Sequence, residues 1–396
     1  MISILLLSIT AALSGQALAP NRSTDPTAKA AVKQAREYLQ KMRETTDYGY
    51  ADRAQKLIDK ALRQMPENYE ALRVQNELDL FRHDFPKVVA RARLLAAADA
   101  TDAGNWAMLG DALMEMGDYD AAADAYQKMV NLQGGLMSYN RIGWYRYVTG
   151  DVDGAIDMMH RAVRNGRPNT EHTAWVLMEL GHLYWRTGKW NEAEHAYKAS
   201  LANFPRMHGA LHGLAQIAAA RGHFDEAVAA ATKAQSMAPL VEYSGLLADL
   251  YTVMHRPAEA KQQLELVDLQ AQLEAASGQK GNRAVALIYA NHKRRLDEAI
   301  AVAEADLAVR KDVFTWDAYS WALFQSGRLD DAAKASQKAL RAGTPDPLIY
   351  FHASRIAEAQ GETAKAAEFR KKALALNPRF DVLHSPSLGP PSPQTE

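Results

Sequence analysis

A regular spacing of large and small residues between positions 105 and 132 constrains the fold more than any other feature of this chain. Small residues stand where two helices would cross closely, and large residues surround them. A glycine separates the two helical segments, where the backbone must reverse and a positive φ is favoured. The pattern predicts two antiparallel helices joined by a tight turn. Its residues are Trp106, Leu109, Gly110, Leu113, Gly117, Tyr119, Ala122, Tyr126 and Met129.

The same spacing recurs at steps of about 34 residues through most of the chain. Gly181, Gly188 and Tyr197 repeat the small, turn and large positions, whereas His255 and Arg294 stand where the turn glycine is usual. In this spacing the chain resembles the tetratricopeptide-repeat family. The resemblance implies an all-α fold, a right-handed superhelical solenoid of helix-turn-helix repeats with a concave inner face.

The repeat frame divides the chain into four parts. An apolar run that ends in an Ala-Leu-Ala motif predicts a signal peptide over residues 1–19. Residues 20–34 are predicted to be a linker and the start of a capping helix. Residues 35–380 are predicted to form about ten repeat units, of which the first two are divergent. Residues 381–396, which are rich in proline and serine, are predicted to be a disordered tail.

The N-terminal segment predicts export to the periplasm or secretion. Its apolar run is typical of a signal peptide and is too short for a comfortable transmembrane helix, so no such helix is expected in the mature chain. The alternative is an uncleaved segment that tethers the chain to a membrane, because no lysine or arginine precedes the run and Pro20 would follow the scissile bond. The sequence contains no cysteine, which excludes disulfides and lipid attachment through cysteine.

Charge and motifs argue against catalysis and against nucleic-acid binding. Lysine and arginine number 46 and aspartate and glutamate 47, so the formal charge is −1. Phosphate-binding loops, nucleophile elbows and zinc-protease motifs do not occur. His208 and His212 have the spacing of metal ligands on one helical face, but no further ligand is near them in sequence. We therefore predict no enzymatic activity, cofactor, metal site or nucleic-acid partner.

The resemblance also implies that four positions in the first helix of each unit face the concave side. In the fourth and fifth units these positions hold aromatic and methionine side chains that the packing frame does not require, with charged residues beside them. Amphipathic aromatics beside arginine are typical of protein-binding sites. A smaller cluster lies in the ninth unit. The predicted groove residues are Asn140, Arg141, Trp144, Tyr147, Trp175, Met178, Glu179, His182, Trp185, Arg186, Phe314 and Trp321.

These residues predict a non-enzymatic scaffold that binds one or more proteins or peptide segments in its groove. The tryptophans would form the contact surface, and Arg141, Glu179 and Arg186 would orient the ligand. One alternative is that a tight superhelix buries the aromatic cluster internally. Another is a structural or assembly subunit of a larger cell-envelope complex, with fixed contacts on the convex face and end units. The residue pattern of a dicarboxylate clamp is absent, and the oligomeric state stays open.

Overall fold

The computed structural model describes residues 20–45, 47–276 and 281–385. The predicted signal peptide, residues 1–19, and residues 386–396 of the predicted tail lie outside this part. Within the described residues the chain forms 20 α-helices that pair in chain order. The helices are α1 (Pro26–Thr45), α2 (Gly49–Gln64), α3 (Tyr69–Phe81), α4 (Phe85–Ala98), α5 (Ala103–Glu115), α6 (Tyr119–Leu132), α7 (Leu136–Val148), α8 (Val152–Arg164), α9 (Glu171–Arg186), α10 (Trp190–Asn203), α11 (His208–Ala220), α12 (Phe224–Met237), α13 (Val241–Val253), α14 (Pro257–Ala276), α15 (Arg283–Asn291), α16 (Leu296–Leu307), α17 (Val313–Gln325), α18 (Leu329–Leu340), α19 (Pro347–Ala359) and α20 (Thr363–Leu376).

The two helices of a pair pack closely because glycine faces a tyrosine ring at their crossing. A Cβ atom at Gly110 would lie 2.3 Å from the Tyr126 ring, and one at Gly181 would lie 2.5 Å from the Tyr197 ring. Neither distance leaves room for a methyl group, so the small residue is required there. Repetition of this contact builds a solenoid of helix pairs, and the predicted all-α solenoid is confirmed.

Turns between paired helices need a left-handed backbone residue. Gly327 supplies it in the ninth pair with φ of 84°. In the seventh pair His255 takes the same conformation with φ of 56°. In the eighth pair the positive φ values fall on Lys293 and Arg295, on either side of Arg294, where the repeat frame places the turn glycine. Residues with a Cβ atom are strained in this conformation, because the Cβ atom comes too close to the following carbonyl oxygen.

The solenoid completes a superhelical turn, so that the last helix pairs rest on pairs three to five. Tyr147 Oη of α7 donates a hydrogen bond of 3.2 Å to Asp346 Oδ2, at the start of α19. Thr344 Oγ1 donates one of 2.6 Å to the carbonyl oxygen of Val148. The bonded residues are 199 and 196 positions apart in sequence. The contact therefore joins elements that lie six helix pairs apart.

The first helix pair approaches the sixth pair across the inside of the superhelix. Arg206 Nε donates a hydrogen bond of 3.4 Å to the carbonyl oxygen of Glu44, near the end of α1. The concave face is consequently enclosed on several sides instead of forming an open trough. No helix in the described part of the chain is both long and apolar enough to cross a membrane.

The chain does not leave the molecule where the repeat frame ends. Residues 381–385 form a turn on the concave face, and Phe380 just before them is 8% exposed. Val382 packs against a core cluster that includes residues of α11 and α13. The prediction of a disordered tail from residue 381 is therefore wrong for residues 381–385. A single turn carries no repeat periodicity, so the sequence pattern could not indicate its packing.

Candidate functional site

The first helices of pairs one to seven enclose a cavity of about 1200 Å³, called the inner cavity below. This volume exceeds the range of about 300–1,000 Å³ that is usual for small-molecule sites. Its wall is rich in methionine and aromatic side chains, which adapt their shape to a ligand and offer large apolar area. Among the lining residues are Met42, Tyr48, Phe81, Met108, Met137, Trp175, Met178, Met207 and Tyr243.

Four large apolar side chains of the inner cavity remain exposed to solvent. Tyr48 is 49% exposed, Trp175 43%, Phe81 38% and Met137 37%. They come from the α1–α2 turn, α9, the end of α3 and α7, and the Tyr48 and Phe81 rings lie 5.4 Å apart between centroids. Single exposed apolar residues are common on proteins, but a contiguous set in a concave site indicates binding.

Burial shifts the pKa of several ionisable groups on the cavity wall. The surrounding protein excludes water and raises the pKa of Glu179 and Glu242, although Glu242 still reaches solvent through the cavity. Burial lowers the pKa of His182, and it lowers the pKa of His212 to about 4. Both imidazoles are therefore neutral at physiological pH. The wall thus combines apolar side chains and neutral imidazoles with arginine and glutamate side chains, among them Arg43, Arg73, Arg206 and Arg283.

Five of the predicted groove residues line the inner cavity, and three of them are already engaged with the protein. The Arg141 guanidinium donates to Asp111 Oδ1 from Nε at 2.8 Å and to Asp111 Oδ2 from Nη2 at 2.8 Å. His182 Nδ1 is hydrogen-bonded to Tyr197 Oη at 2.7 Å. Met178 is 4% exposed. The five residues are Arg141, Trp175, Met178, Glu179 and His182.

Trp144 and Phe314, which the sequence places in two separate clusters, stack on each other across the superhelical turn. Their ring centroids are 5.7 Å apart at an interplanar angle of 22°. Arg186 pairs with Asp346 at 3.3 Å, and its guanidinium lies 5.6 Å from the ring centroids of both Trp144 and Tyr147. The prediction that these residues line an open groove is corrected, because they join two layers of the superhelix.

Trp185 and Trp321 are also almost completely buried. Trp185 is 7% exposed and Trp321 is 2% exposed. The carbonyl oxygen of Trp185 accepts a hydrogen bond of 2.8 Å from Asn377 Nδ2, and the Trp321 ring contacts the His384 ring at 5.7 Å. Both tryptophans occupy inward positions, as the repeat frame implies, but the C-terminal residues cover them. Their prediction as open groove residues is likewise corrected.

Asn140 is half-buried on α7, and its side-chain oxygen has no hydrogen-bond partner within the described residues. Met137 occupies an inward position of the fourth unit, as the repeat frame implies, and it lines the inner cavity. The sequence reasoning missed two exposed residues of this cavity. Tyr48 and Phe81 belong to the divergent first two units, where the frame is ambiguous.

His208 and His212 both contact the side chain of Tyr243. His208 Nδ1 is hydrogen-bonded to Tyr243 Oη at 2.5 Å, and the His212 ring lies 5.0 Å from the Tyr243 ring. In the ranges that the structure describes, histidine, aspartate and glutamate side chains form no group of three or more that could hold a metal ion.

The paired helices and the enclosed concave face define an all-α repeat solenoid. A family model of the tetratricopeptide repeat matches residues 107–170, 178–241 and 320–379. The chain therefore contains tetratricopeptide repeats in these three segments. A comparison with curated protein sequences gives no significant match.

Several solved structures share the repeat architecture. A chain of the APC/C hetero-tetramer Cut9–Hcn1 is 17% identical, with 90% of this chain and 75% of that chain covered and a TM-score of 0.42. PilF of Pseudomonas aeruginosa is 15% identical, with 52% and 97% covered and a TM-score of 0.42. YrrB, described as a TPR protein with an unusual peptide-binding site, is 16% identical, with 46% and 92% covered and a TM-score of 0.32. None of these similarities bears on what this chain binds.

Proposed function

We propose that this protein is a non-enzymatic scaffold that binds a segment of another protein in the inner cavity. The tetratricopeptide-repeat fold is consistent with a protein-interaction scaffold. The observation that supports this site is the collection of Tyr48, Phe81, Met137 and Trp175 on one concave wall, each more than a third exposed. Contact between exposed apolar surface and water is unfavourable, and a bound segment that covers this surface is therefore stabilised.

The bound segment is expected to present apolar side chains. Trp175 and Met137 lie on α9 and α7, the first helices of two successive pairs. The tryptophan ring offers a rigid contact surface, and the flexible methionine side chain can adapt to the ligand. Arg141 lines the same wall, but Asp111 already neutralises it. An acidic ligand would therefore gain little from this arginine, and burial of apolar area supplies the affinity.

Site-directed photocrosslinking tests this proposal. A benzophenone amino acid replaces Trp175 in one variant and Leu94 in a control variant, because Leu94 is 48% exposed on α4 and does not line the inner cavity. The proposal predicts that a partner protein crosslinks from position 175 and not from position 94. Mass spectrometry of the crosslinked product would identify the bound segment.

The assembly-subunit alternative predicts the opposite distribution of crosslinks. A stoichiometric partner would crosslink from position 94 or from Leu273, which is 61% exposed on α14. Such a partner would also remain bound when Trp175 is replaced by alanine. That result would reject the inner cavity as the binding site.

We further propose that the scaffold acts outside the cytoplasm, on the basis of the apolar N-terminal run and its Ala-Leu-Ala motif. N-terminal sequencing of the protein from fractionated host cells tests this location. A mature N-terminus at residue 20 in the exported fraction would support it. A cytoplasmic protein that retains Met1 would contradict it.

A further inference from the structure

The last described residues, 377–385, cross the concave face after α20 and are called the C-terminal segment below. Its start is fixed to the fifth helix pair. Asn377 Nδ2 donates to the carbonyl oxygen of Trp185 at 2.8 Å, and Asn377 Oδ1 accepts from Trp190 Nε1 at 3.1 Å. Asn377 is fully buried. The segment is thus anchored across the superhelix and not only to its own helix.

Side chains of the C-terminal segment bind both walls of this part of the concave face. The Phe380 ring packs on Phe351 of α19 at 5.3 Å between centroids. Val382 packs on the opposite wall, against the core cluster that contains residues of α11 and α13. The His384 ring meets the Trp321 ring of α17 edge to face at 5.7 Å. The inner surfaces of α11, α13, α17 and α19 therefore form one groove, called the distal groove.

The C-terminal segment forms a turn that is held by hydrogen bonds between its own residues. Asp381 Oδ1 accepts hydrogen bonds from the backbone N–H groups of Leu383 at 2.9 Å and His384 at 2.8 Å. The backbone N–H of Asp381 donates to Ser385 Oγ at 3.0 Å. An aspartate carboxylate that accepts hydrogen bonds from nearby backbone N–H groups stabilises a turn locally, independently of the repeats. The order of side chains is aromatic, acidic, aliphatic, aliphatic.

The C-terminal segment fills only part of the distal groove. A cavity of about 540 Å³ lies between the segment and helices α19 and α20, and one of about 550 Å³ lies between the segment and helices that include α11 and α13. A structural plug would be expected to leave little space beside it, because protein interiors are close-packed. The remaining volume can receive a longer segment than the one present.

We propose that the distal groove is a second site for a protein segment and that the C-terminal segment occupies it in cis. The external ligand is a segment of another protein with the same order of side chains, an aromatic residue followed by a carboxylate and two aliphatic residues. This site rests on the proposed scaffold function in using the concave face. It shares α11 and α13 with the inner cavity and adds α17 and α19, but Trp175 does not line it.

The tether gives the C-terminal segment an advantage over a free ligand. A segment attached by a short linker meets its site at an effective concentration on the order of millimolar. A free peptide of the same sequence must compete with it and therefore binds the full chain weakly. Release of the C-terminal segment should strengthen binding of the free peptide by about 100-fold.

The probe is a fluorescein-labelled synthetic peptide of residues 379–385, and its anisotropy reports binding. It is titrated with the full chain and with a full chain that carries Phe380→Ser and Val382→Ser. We expect about 100-fold tighter binding to the double variant, and no binding of a peptide that itself carries Phe380→Ser. Equal affinities for the two chains, or no binding to the double variant, would overturn the proposal.

Helix content and thermal unfolding of the double variant separate a ligand from a structural element. A control chain carries Lys365→Ser and Lys371→Ser, two exposed positions of α20. The proposal predicts that both chains keep the helix content of the unaltered protein. Loss of the folded solenoid in the double variant alone would show that the segment is a permanent part of the core and would reject the proposal. Trp175→Ala is expected to leave peptide affinity unchanged, so the two proposed sites fail or succeed independently.

Discussion

Trp175 and Trp185 lie on the same helix, α9, but in opposite environments. Trp175 is 43% exposed on the wall of the inner cavity, whereas Trp185 is 7% exposed and covered by the residues that follow α20. The same substitution should therefore have different consequences at the two positions. The difference separates a binding residue from a packing residue.

Trp185→Ala is expected to lower the free energy of unfolding by about 3–5 kcal/mol, because it leaves a large cavity in a packed region. Trp175→Ala is expected to lower it by less than about 1 kcal/mol, because the side chain is partly solvated already. Urea denaturation followed by circular dichroism measures both. Equal losses at the two positions would contradict the environments described here.

Titration of Asp249 should change the free energy of unfolding between about pH 4 and 6. Burial raises its pKa to about 6, the nearby Asp381 carboxylate adds to the rise, and a hydrogen bond with His292 at 2.8 Å opposes it. The unfolded chain has an ordinary aspartate pKa of about 3.9, so between about pH 4 and 6 the folded chain binds more protons. Stability from this group is therefore lost as pH rises through that window.

Asp249→Asn should flatten this part of the pH profile, by up to about 3 kcal/mol between pH 4 and 7. The titratable groups around Asp249 are His292, Asp381 and His384, and they are unchanged in the variant. A matched control is Asp157→Asn, since Asp157 is in an exposed ion pair with Arg161. Urea unfolding at several pH values tests the prediction, and parallel profiles for the variant and the unaltered protein would contradict it.

At the scale of elements, the sequence predicts the contacts within one repeat but not the contacts between distant repeats. The contact of Gly181 with Tyr197 is local to a helix pair, so a 34-residue spacing encodes it. The stacking of Trp144 on Phe314 depends on small rotations accumulated over five pairs, which no spacing records. The covering of Trp321 depends on a segment without periodicity. The fold was therefore predictable, and most of the site was not.

The turns offer a direct test of the backbone conformation that joins paired helices. Gly327 has φ of 84°, and a Cβ atom there would meet nothing within 4 Å. Gly327→Ala should cost about 1 kcal/mol from the left-handed conformation alone. His255→Gly should instead raise the free energy of unfolding by roughly 0.5 kcal/mol, because it removes the strain of a left-handed residue with a Cβ atom. Thermal unfolding of both variants checks the signs, and a higher unfolding temperature for Gly327→Ala would contradict them.

At the scale of the molecule, the contact between superhelical layers decides which aromatics are available. The stack of Trp144 and Phe314, with Arg186 and Asp346 beside it, closes the turn. The inner cavity and the spaces beside the C-terminal segment stay accessible. The closure and the cavity are therefore two consequences of one superhelical geometry. A more open superhelix would expose Trp144 and disperse the exposed residues of the cavity.

A double-mutant cycle with Trp144→Ala and Phe314→Ala measures this closure in solution. Stacked aromatic pairs couple by about 0.5–1.5 kcal/mol beyond their separate effects. The control cycle uses Trp175→Ala and Phe314→Ala, whose rings are not stacked on each other, and should be additive within about 0.5 kcal/mol. Additivity of the first cycle would indicate that the layers do not touch in solution.

The most direct test of the central claim is the affinity of the partner segment, identified by crosslinking, for variants of the inner cavity. Isothermal titration calorimetry compares the unaltered protein with Trp175→Ala and with the exposed control Leu94→Ala. Trp175→Ala should weaken binding by about 2 kcal/mol or more, roughly 30-fold, with helix content unchanged, and Leu94→Ala should bind as the unaltered protein does. Equal affinity in all three proteins would contradict the assignment of the inner cavity as the binding site.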